Sequence, residues 1–318
     1  MRVTATVIAS FVWVASLSAH GGEAHETAWL SDRPGALSPW DLAVIALLLA
    51  IAGLYFTGAR RMARRGGVHR RRETIAFSCG WAALMASVLP PLEALAIQLF
   101  SAHMAQHELM MLVGAPLLIA GRPLSTCLWG VPQGWRARVA APLQASLVSR
   151  TWRWFTAPVV AWALHGIALW VWHVPALYDA AVEHESIHAL QHAMFVGTSA
   201  LFWWGLIYGR YGRVGYGAAV FYVFTTVVHT GILGAAMTFS GIPLYPVYAA
   251  PAAARGIDVL EDQQLAGLIM WIPAGIVLTL FGLALFAAWL GEAERRSRFA
   301  PGGTTDAVGT FRVRAGGP

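Results

Sequence analysis

The sequence predicts an all-α protein: a polytopic membrane bundle of seven transmembrane helices that follows an N-terminal signal peptide. Hydrophobic residues make up 57% of the 318 residues and charged residues only 12%, whereas soluble domains carry about 25% charged residues. The apolar residues form long runs separated by short basic segments, and fifteen tryptophans accompany them. Both features are typical of membrane helices, their loops and their interfaces. The net charge of +6 therefore indicates loops beside a lipid bilayer and no nucleic-acid partner.

The chain begins with a predicted signal peptide, residues 1–19. Arg2 precedes an apolar core that ends at Val14, and small residues follow it, as they do at a cleavage site. The core is shorter than the roughly 20 residues that a membrane span needs. Residues 20–40 are then expected to form a periplasmic segment.

Seven apolar segments follow and are expected to form one transmembrane domain, residues 41–290, because spans must bury their polar positions against one another. Residues 291–318 are expected to form a flexible cytoplasmic tail. The predicted spans are Asp41–Thr57, Thr74–Leu89, His103–Ala120, Ala157–Trp172, Ser186–Tyr208, Tyr216–Phe239 and Gln263–Leu290.

The orientation follows from the basic residues. The arginine-rich segments come after the first, third, fifth and seventh spans, so all four lie on one side, which the positive-inside rule assigns to the cytoplasm. The N-terminus is then periplasmic and the C-terminus cytoplasmic. The sequence predicts a multi-pass protein of a bacterial inner membrane.

Histidines recur at four-residue spacing in two of these spans, at His103 and His107 and at His184, His188 and His192. This spacing places imidazoles on one helix face. The topology brings both groups, with His173, to the outer ends of spans three, four and five. A histidine in a membrane segment is costly and indicates function, and neutral imidazole is the commonest metal ligand.

Helix geometry limits how these histidines share a metal. His184 and His192 lie about 12 Å apart along the helix axis, too far for one ion with ligands at about 2 Å. We therefore expect the pair His103 and His107 to face the pair His188 and His192 around one or two metals. His184 and His173 are expected nearer the entrance.

Further side chains are possible contributors to this site. Carboxylates could orient imidazoles, a thioether would favour Cu(I), and two more histidines lie deeper in spans four and six. These residues are Glu108, Glu185, Asp262, Met104, His165 and His229.

Copper, as Cu(I) or Cu(II), is the expected metal, with zinc as the alternative, since imidazole suits both. No turnover chemistry is evident. One alternative is a haem-binding or redox membrane protein, because facing histidines also ligate haem. Another is a zinc-dependent membrane hydrolase, because His184-Glu185-x2-His188 matches HExxH, whose glutamate serves as general base. Neither cysteine, Cys79 or Cys127, belongs to a CxxC motif.

Several separated motifs resemble the CtaG family of caa-type cytochrome c oxidase assembly factors, over roughly residues 40–290. The similar segments are His103–His107, Ala115–Leu118, Trp172–Ala181, His184–His192, Phe202–Trp204 and Asp262–Pro273. The resemblance implies a role in maturation of a haem–copper oxidase, with delivery of copper to the oxidase subunit that carries the copper centre. A periplasmic copper chaperone is a further expected partner, with His20 and His25 on a path to His184.

Overall fold

The computed structural model describes residues 39–65, 71–208 and 216–299; the predicted signal peptide, positions 20–38 with His20 and His25, and residues 300–318 lie outside these ranges. Every regular element of the described residues is helical. In chain order these are α1 (Pro39–Arg64), α2 (Arg71–Val88), α3 (Leu92–Ala96), α4 (Phe100–Glu108), a π-helix (Leu109–Gly114), α5 (Ala115–Ala120), α6 (Pro123–Gly130), α7 (Gln133–Gln144), α8 (Ser146–Phe155), α9 (Pro158–Trp172), α10 (Pro175–Glu183), α11 (Glu185–Tyr208), α12 (Tyr216–Thr238), a 3₁₀ turn (Pro246–Tyr248), α13 (Ala249–Ala254) and α14 (Val259–Phe299).

Three of these helices, α1, α12 and α14, are long and apolar enough to cross a membrane. Two bent helix pairs meet the same criterion if each counts as one span: Phe100–Ala120 with α6, bent by 60°, and α8 with α9, bent by 63°. The described residues therefore contain three to five candidate spans. The remaining two predicted spans correspond to α2, which begins at Arg71, and α11, which carries Glu185 and the histidines. The polar residues of these two helices lower their mean hydropathy, so neither is among the candidate spans. The count of seven spans therefore stays a prediction.

The segment between the third and fourth predicted spans is helical and packs closely against α1. A Cβ atom added at Gly58 would lie 1.9 Å from the Thr126 carbonyl oxygen, and one added at Gly130 would lie 2.1 Å from that of Leu54. Only glycine permits this approach of α1 and α6. The Arg61 guanidinium donates to the carbonyls of Gly130 and Val131 at 2.7 and 2.8 Å, which satisfies the end of α6.

The apolar core has two parts. One surrounds the beginning of α4 and contains the fully buried aromatic rings of Phe100, Tyr178, Tyr245 and Tyr248. The other lies further along α11 and includes Phe202, Trp203 and Tyr222. His103 lies against the first part: its ring is 5.2 Å from that of Tyr178 and 6.5 Å from that of Tyr248.

The last helix is longer than the sequence indicates. We expect a span that ends at Leu290 and a tail from residue 291, whereas α14 continues to Phe299. Residues 291–299 contain the strong helix formers Ala, Glu and Arg and no proline. An i,i+3 pair between Glu292 and Arg295 (3.2 Å) supports this last part.

Candidate metal centre

Four imidazoles from α4 and α11 pack together: those of His103, His107, His188 and His192. The ring centroids lie 4.4 Å apart within the α4 pair and 4.1 Å apart within the α11 pair. Between the helices, His103 lies 5.1 Å from His188, and His107 lies 5.1 Å from His192. The structure thus brings together the two pairs that the four-residue spacing predicts to face each other.

The ring nitrogens of this cluster converge. One nitrogen from each of His103, His188 and His192 lies within 4.8 Å of the other two. The Nε2 atoms of His103 and His107 are 2.9 Å apart, slightly closer than the about 3.3 Å between two nitrogens on a tetrahedral metal. Three of the four imidazoles thus have nitrogens that converge, and His107 lies beside them with its Nε2 next to that of His103.

Buried nitrogens without hydrogen-bond partners also fit a metal. His188 Nε2 and His192 Nε2 are buried and have no partner among the described residues. A buried polar atom without a partner costs about 1–3 kcal/mol, so two of them in one cluster favour a bound group that would satisfy them. An ion with imidazole ligands does this.

The hydroxyl of Tyr248 orients His103. This hydroxyl lies 2.7 Å from His103 Nδ1 and donates its single proton to the Ala96 carbonyl at 3.2 Å. It therefore accepts a hydrogen bond from Nδ1–H of His103, which leaves the Nε2 lone pair directed at the cluster. Such support of the second ring nitrogen is usual for metal-binding histidines.

Asp262 of α14 holds the N-terminus of α4. Its Oδ2 accepts from the backbone N–H of Phe100 at 2.6 Å, and its Oδ1 accepts from the backbone N–H of Ser101 at 3.3 Å and from the Ser101 hydroxyl. The carboxylate thus occupies the role of a helix N-cap supplied by another helix. Asp262, expected as a possible contributor to the metal site, acts instead on the helix that carries His103 and His107.

Glu93 is a neighbour of the cluster that the sequence reasoning missed. Its Oε1 lies 3.8 Å from His188 Nδ1, and its Oε2 accepts from the Gln106 side chain. Burial, with the charge of Asp41 adding to it, raises the pKa of the Glu93 carboxyl to about 7. The signal available in the sequence was a carboxylate in an apolar segment directly after Pro90-Pro91.

His173 and His184 are not among the four packed imidazoles. His173 is buried; its Nδ1–H donates to the Leu169 carbonyl at 2.6 Å, its Nε2 has no partner among the described residues, and its ring lies 6.0 Å from that of Phe195. His184 is exposed and donates from Nδ1 to the Ala180 carbonyl at 3.2 Å. Of the six predicted ligands, the structure therefore groups four and leaves these two outside that group.

The other predicted contributors take different positions. Met104 packs in the apolar core, and Glu185 accepts a hydrogen bond from the backbone N–H of Trp40 at 3.4 Å. Glu108, directly after His107, ends α4. His165 and His229 lie deeper on α9 and α12, where a Cβ added at Gly166 would be 3.6 Å from His229 Nε2.

A π-helix follows α4 immediately, over Leu109–Gly114. Single π-turns within α-helices are frequent at functional sites. Here the Met111 carbonyl accepts from the Ser199 hydroxyl and from Trp203 Nε1, both at 2.9 Å. These bonds from α11 hold the irregular turn beside the helix that supplies His188 and His192. No sequence pattern indicated it.

The apolar helices and the buried histidine cluster define a helical membrane protein with a candidate metal centre between its helices. Comparison with known proteins gives the family: the model for the cytochrome c oxidase caa3 assembly factor (Caa3_CtaG) matches residues 53–292. The chain belongs to this family, which confirms the resemblance seen in the sequence.

Similar curated proteins come from mycobacteria, and their names assign them no function. An uncharacterized protein of Mycobacterium bovis and one of Mycobacterium tuberculosis are each 25% identical over 259 residues, 78% of this chain and 38% of theirs. One from Mycobacterium leprae is 23% identical over 260 residues. The chain thus spans about two fifths of the length of these relatives. No solved structure matches the chain.

Proposed function

We propose that the protein holds one copper ion in the cluster of His103, His107, His188 and His192 and delivers it to the copper centre of the oxidase that it helps to assemble. The observation that carries this proposal is the packing of four imidazoles, three of which have converging nitrogens and two of which have buried nitrogens without partners among the described residues. The family to which the chain belongs indicates that the acceptor is a cytochrome c oxidase. Imidazole nitrogens suit copper, with zinc as the alternative ion.

Delivery needs a site that releases its ion. Neutral imidazoles bring no charge, so ligands of an acceptor site can replace them one at a time, without separation of opposite charges in an apolar environment. The exposed His184 is one helical turn before His188 on α11 and would be the first histidine that an arriving ion meets. A periplasmic copper chaperone that docks at this end would be the donor.

The proposed topology places this exchange at the outer side of the bacterial inner membrane. In this topology seven spans follow a signal peptide, the N-terminus is periplasmic and the C-terminus is cytoplasmic. The beginnings of α4 and α11 would then lie at the outer side of the membrane. A haem is less compatible with the cluster, since centroid distances of 4.1 to 5.9 Å leave no room for a macrocycle between the rings. A hydrolase would need His184 and His188 on one zinc, and His184 lies outside the converging group.

Elemental analysis of the purified full chain tests copper binding. We expect about one copper per chain to be lost in His188→Ala and His107→Ala. His184→Ala is the matched control, because it removes the exposed histidine that directly precedes α11 and lies outside the converging group, and it should retain the ion. Unchanged copper content in both His188→Ala and His107→Ala would refute the proposed site.

A further inference from the structure

A cavity lies inside the bundle, one to two helical turns from the four imidazoles. Its volume is about 30 Å³, more than the about 10–15 Å³ that one water molecule needs. Six helical segments contribute to its wall, which is largely apolar but carries several polar groups and two thioethers. These wall residues include Glu108, Met111, His165, Ser199, Thr230 and Met270.

Glu108 places a carboxyl group in this wall without a counter-charge. Its Oε2 atom is buried and has no hydrogen-bond partner, and no arginine of the described ranges forms an ion pair with it. Burial of an unpaired carboxylate costs several kcal/mol. A cation in the cavity would offset that cost.

His165 presents an acceptor nitrogen to the cavity. The Thr198 hydroxyl donates its proton to the Met194 carbonyl at 2.7 Å, so it accepts from Nδ1–H of His165 at 3.3 Å. This assigns the Nδ1–H tautomer and leaves the Nε2 lone pair free. The His165 ring is 7% exposed and is oriented in the manner of a metal-binding histidine.

The hydrogen atoms of the remaining polar wall groups are already used. The Ser199 hydroxyl and Trp203 Nε1 donate to the Met111 carbonyl at 2.9 Å. The Thr230 hydroxyl donates to the Thr226 carbonyl at 2.9 Å. Apart from the Glu108 carboxyl group, which carries a donor when it is protonated, the wall therefore offers oxygen, nitrogen and sulfur lone pairs, a composition that suits a cation once that carboxyl group is ionised.

We propose that this cavity is a second metal site that takes Cu(I), with His165 Nε2, the thioethers of Met111 and Met270 and the Glu108 carboxylate as ligands. Imidazole and thioether are soft ligands that select Cu(I). Only the choice of copper rests on the proposed function. Because Glu108 follows His107 directly and Met111 lies one turn further, an ion that leaves the four imidazoles has ligands within reach at each step.

Anaerobic titration of the purified full chain with Cu(I), against a chromophoric competitor, tests the proposal. Wild type should bind two Cu(I) per chain, and Met270→Leu, which nearly conserves volume, should weaken one of them by at least about tenfold. Met110→Leu is the matched control: Met110 is also buried but does not line the cavity, so both ions should remain. His165→Ala should repeat the effect of Met270→Leu, and equal melting temperatures would show that each variant folds.

X-ray absorption at the copper edge gives a second readout. A sulfur shell should be present in wild type and in Met110→Leu and absent from Met270→Leu combined with Met111→Leu. A single Cu(I) that is lost in His188→Ala and unaffected by Met270→Leu would overturn the second site and show that the cavity holds water. A single Cu(I) that depends on Met270 but not on His188 would support the cavity and overturn the four-histidine site.

Discussion

Replacement of Asp262 by alanine should loosen the helix that carries His103 and His107. The variant leaves the backbone N–H groups of Phe100 and Ser101 and the Ser101 hydroxyl without their acceptor, in a place where Asp262 is only 3% exposed. An unsatisfied buried polar group costs about 1–3 kcal/mol, and loss of a helix N-cap about 0.5–2 kcal/mol. Since the groups share one acceptor, we expect a loss of about 3–5 kcal/mol.

Detergent-induced unfolding, followed by tryptophan fluorescence, measures this loss, and the copper content of the folded fraction measures its effect on the cluster. Glu261→Ala is the control, because Glu261 is the exposed carboxylate one residue earlier on α14; its free energy of unfolding should stay within about 0.5 kcal/mol of wild type. If Asp262→Ala matched Glu261→Ala in stability and copper content, the role of Asp262 as an anchor of α4 would be wrong.

Three further predictions concern other parts of the structure. Tyr248→Phe should weaken copper binding by about 10–100-fold in a competition titration; an unchanged affinity would mean that the hydroxyl does not orient the imidazole. Gly130→Ala should destabilise the fold by more than about 2 kcal/mol, since the new methyl group meets the Leu54 carbonyl. The control Gly134→Ala, with open space around the added methyl group, should be neutral or slightly stabilising. Equal unfolding curves for the two variants would contradict the packing of α1 on α6. Burial, and next the charge of Glu183, raises the pKa of Asp179 on the short helix α10 to about 7, so the contribution of this carboxyl group to stability falls as pH rises from about 4 to 7. Asp179→Asn removes the group and should therefore gain melting temperature relative to wild type over that range, and a difference between the two proteins that does not change with pH would refute it.

The four-residue spacing of histidines predicted the central feature of the site. The four-residue spacing puts the imidazoles of His103 and His107 on one face of their helix and those of His188 and His192 on one face of theirs. The predicted membrane topology gave the reason to expect both pairs at the same depth in the membrane. Helix rise also separated His184 from His192 correctly, because 1.5 Å per residue is independent of the rest of the fold.

The supporting groups could not be predicted because they depend on contacts between distant segments. Asp262 reaches Phe100 across 162 positions, and Tyr248 reaches His103 across 145. Glu93 contacts His188 only because the short helix α3 packs beside α4. Helix periodicity describes a residue's own helix and carries no information about which loop or neighbouring helix meets it.

Backbone irregularity accounts for the remaining differences. The π-helix after Glu108 and the 60° bend at Gly121-Arg122, where Arg122 has φ of 55°, follow no apolar period. The close approach of α1 and α6 at Gly58 and Gly130 is a contact between distant segments, which the isolated glycines in the sequence did not reveal.

The copper content of the oxidase in cells tests the proposed function most directly. The caa-type oxidase would be purified from cells that lack this gene and carry wild type, His188→Ala or His184→Ala in its place. The account predicts that the oxidase from His188→Ala cells contains its haem but lacks copper at the membrane-embedded centre, whereas His184→Ala, expressed at the same level, restores most of the copper. An oxidase with full copper from His188→Ala cells would contradict it.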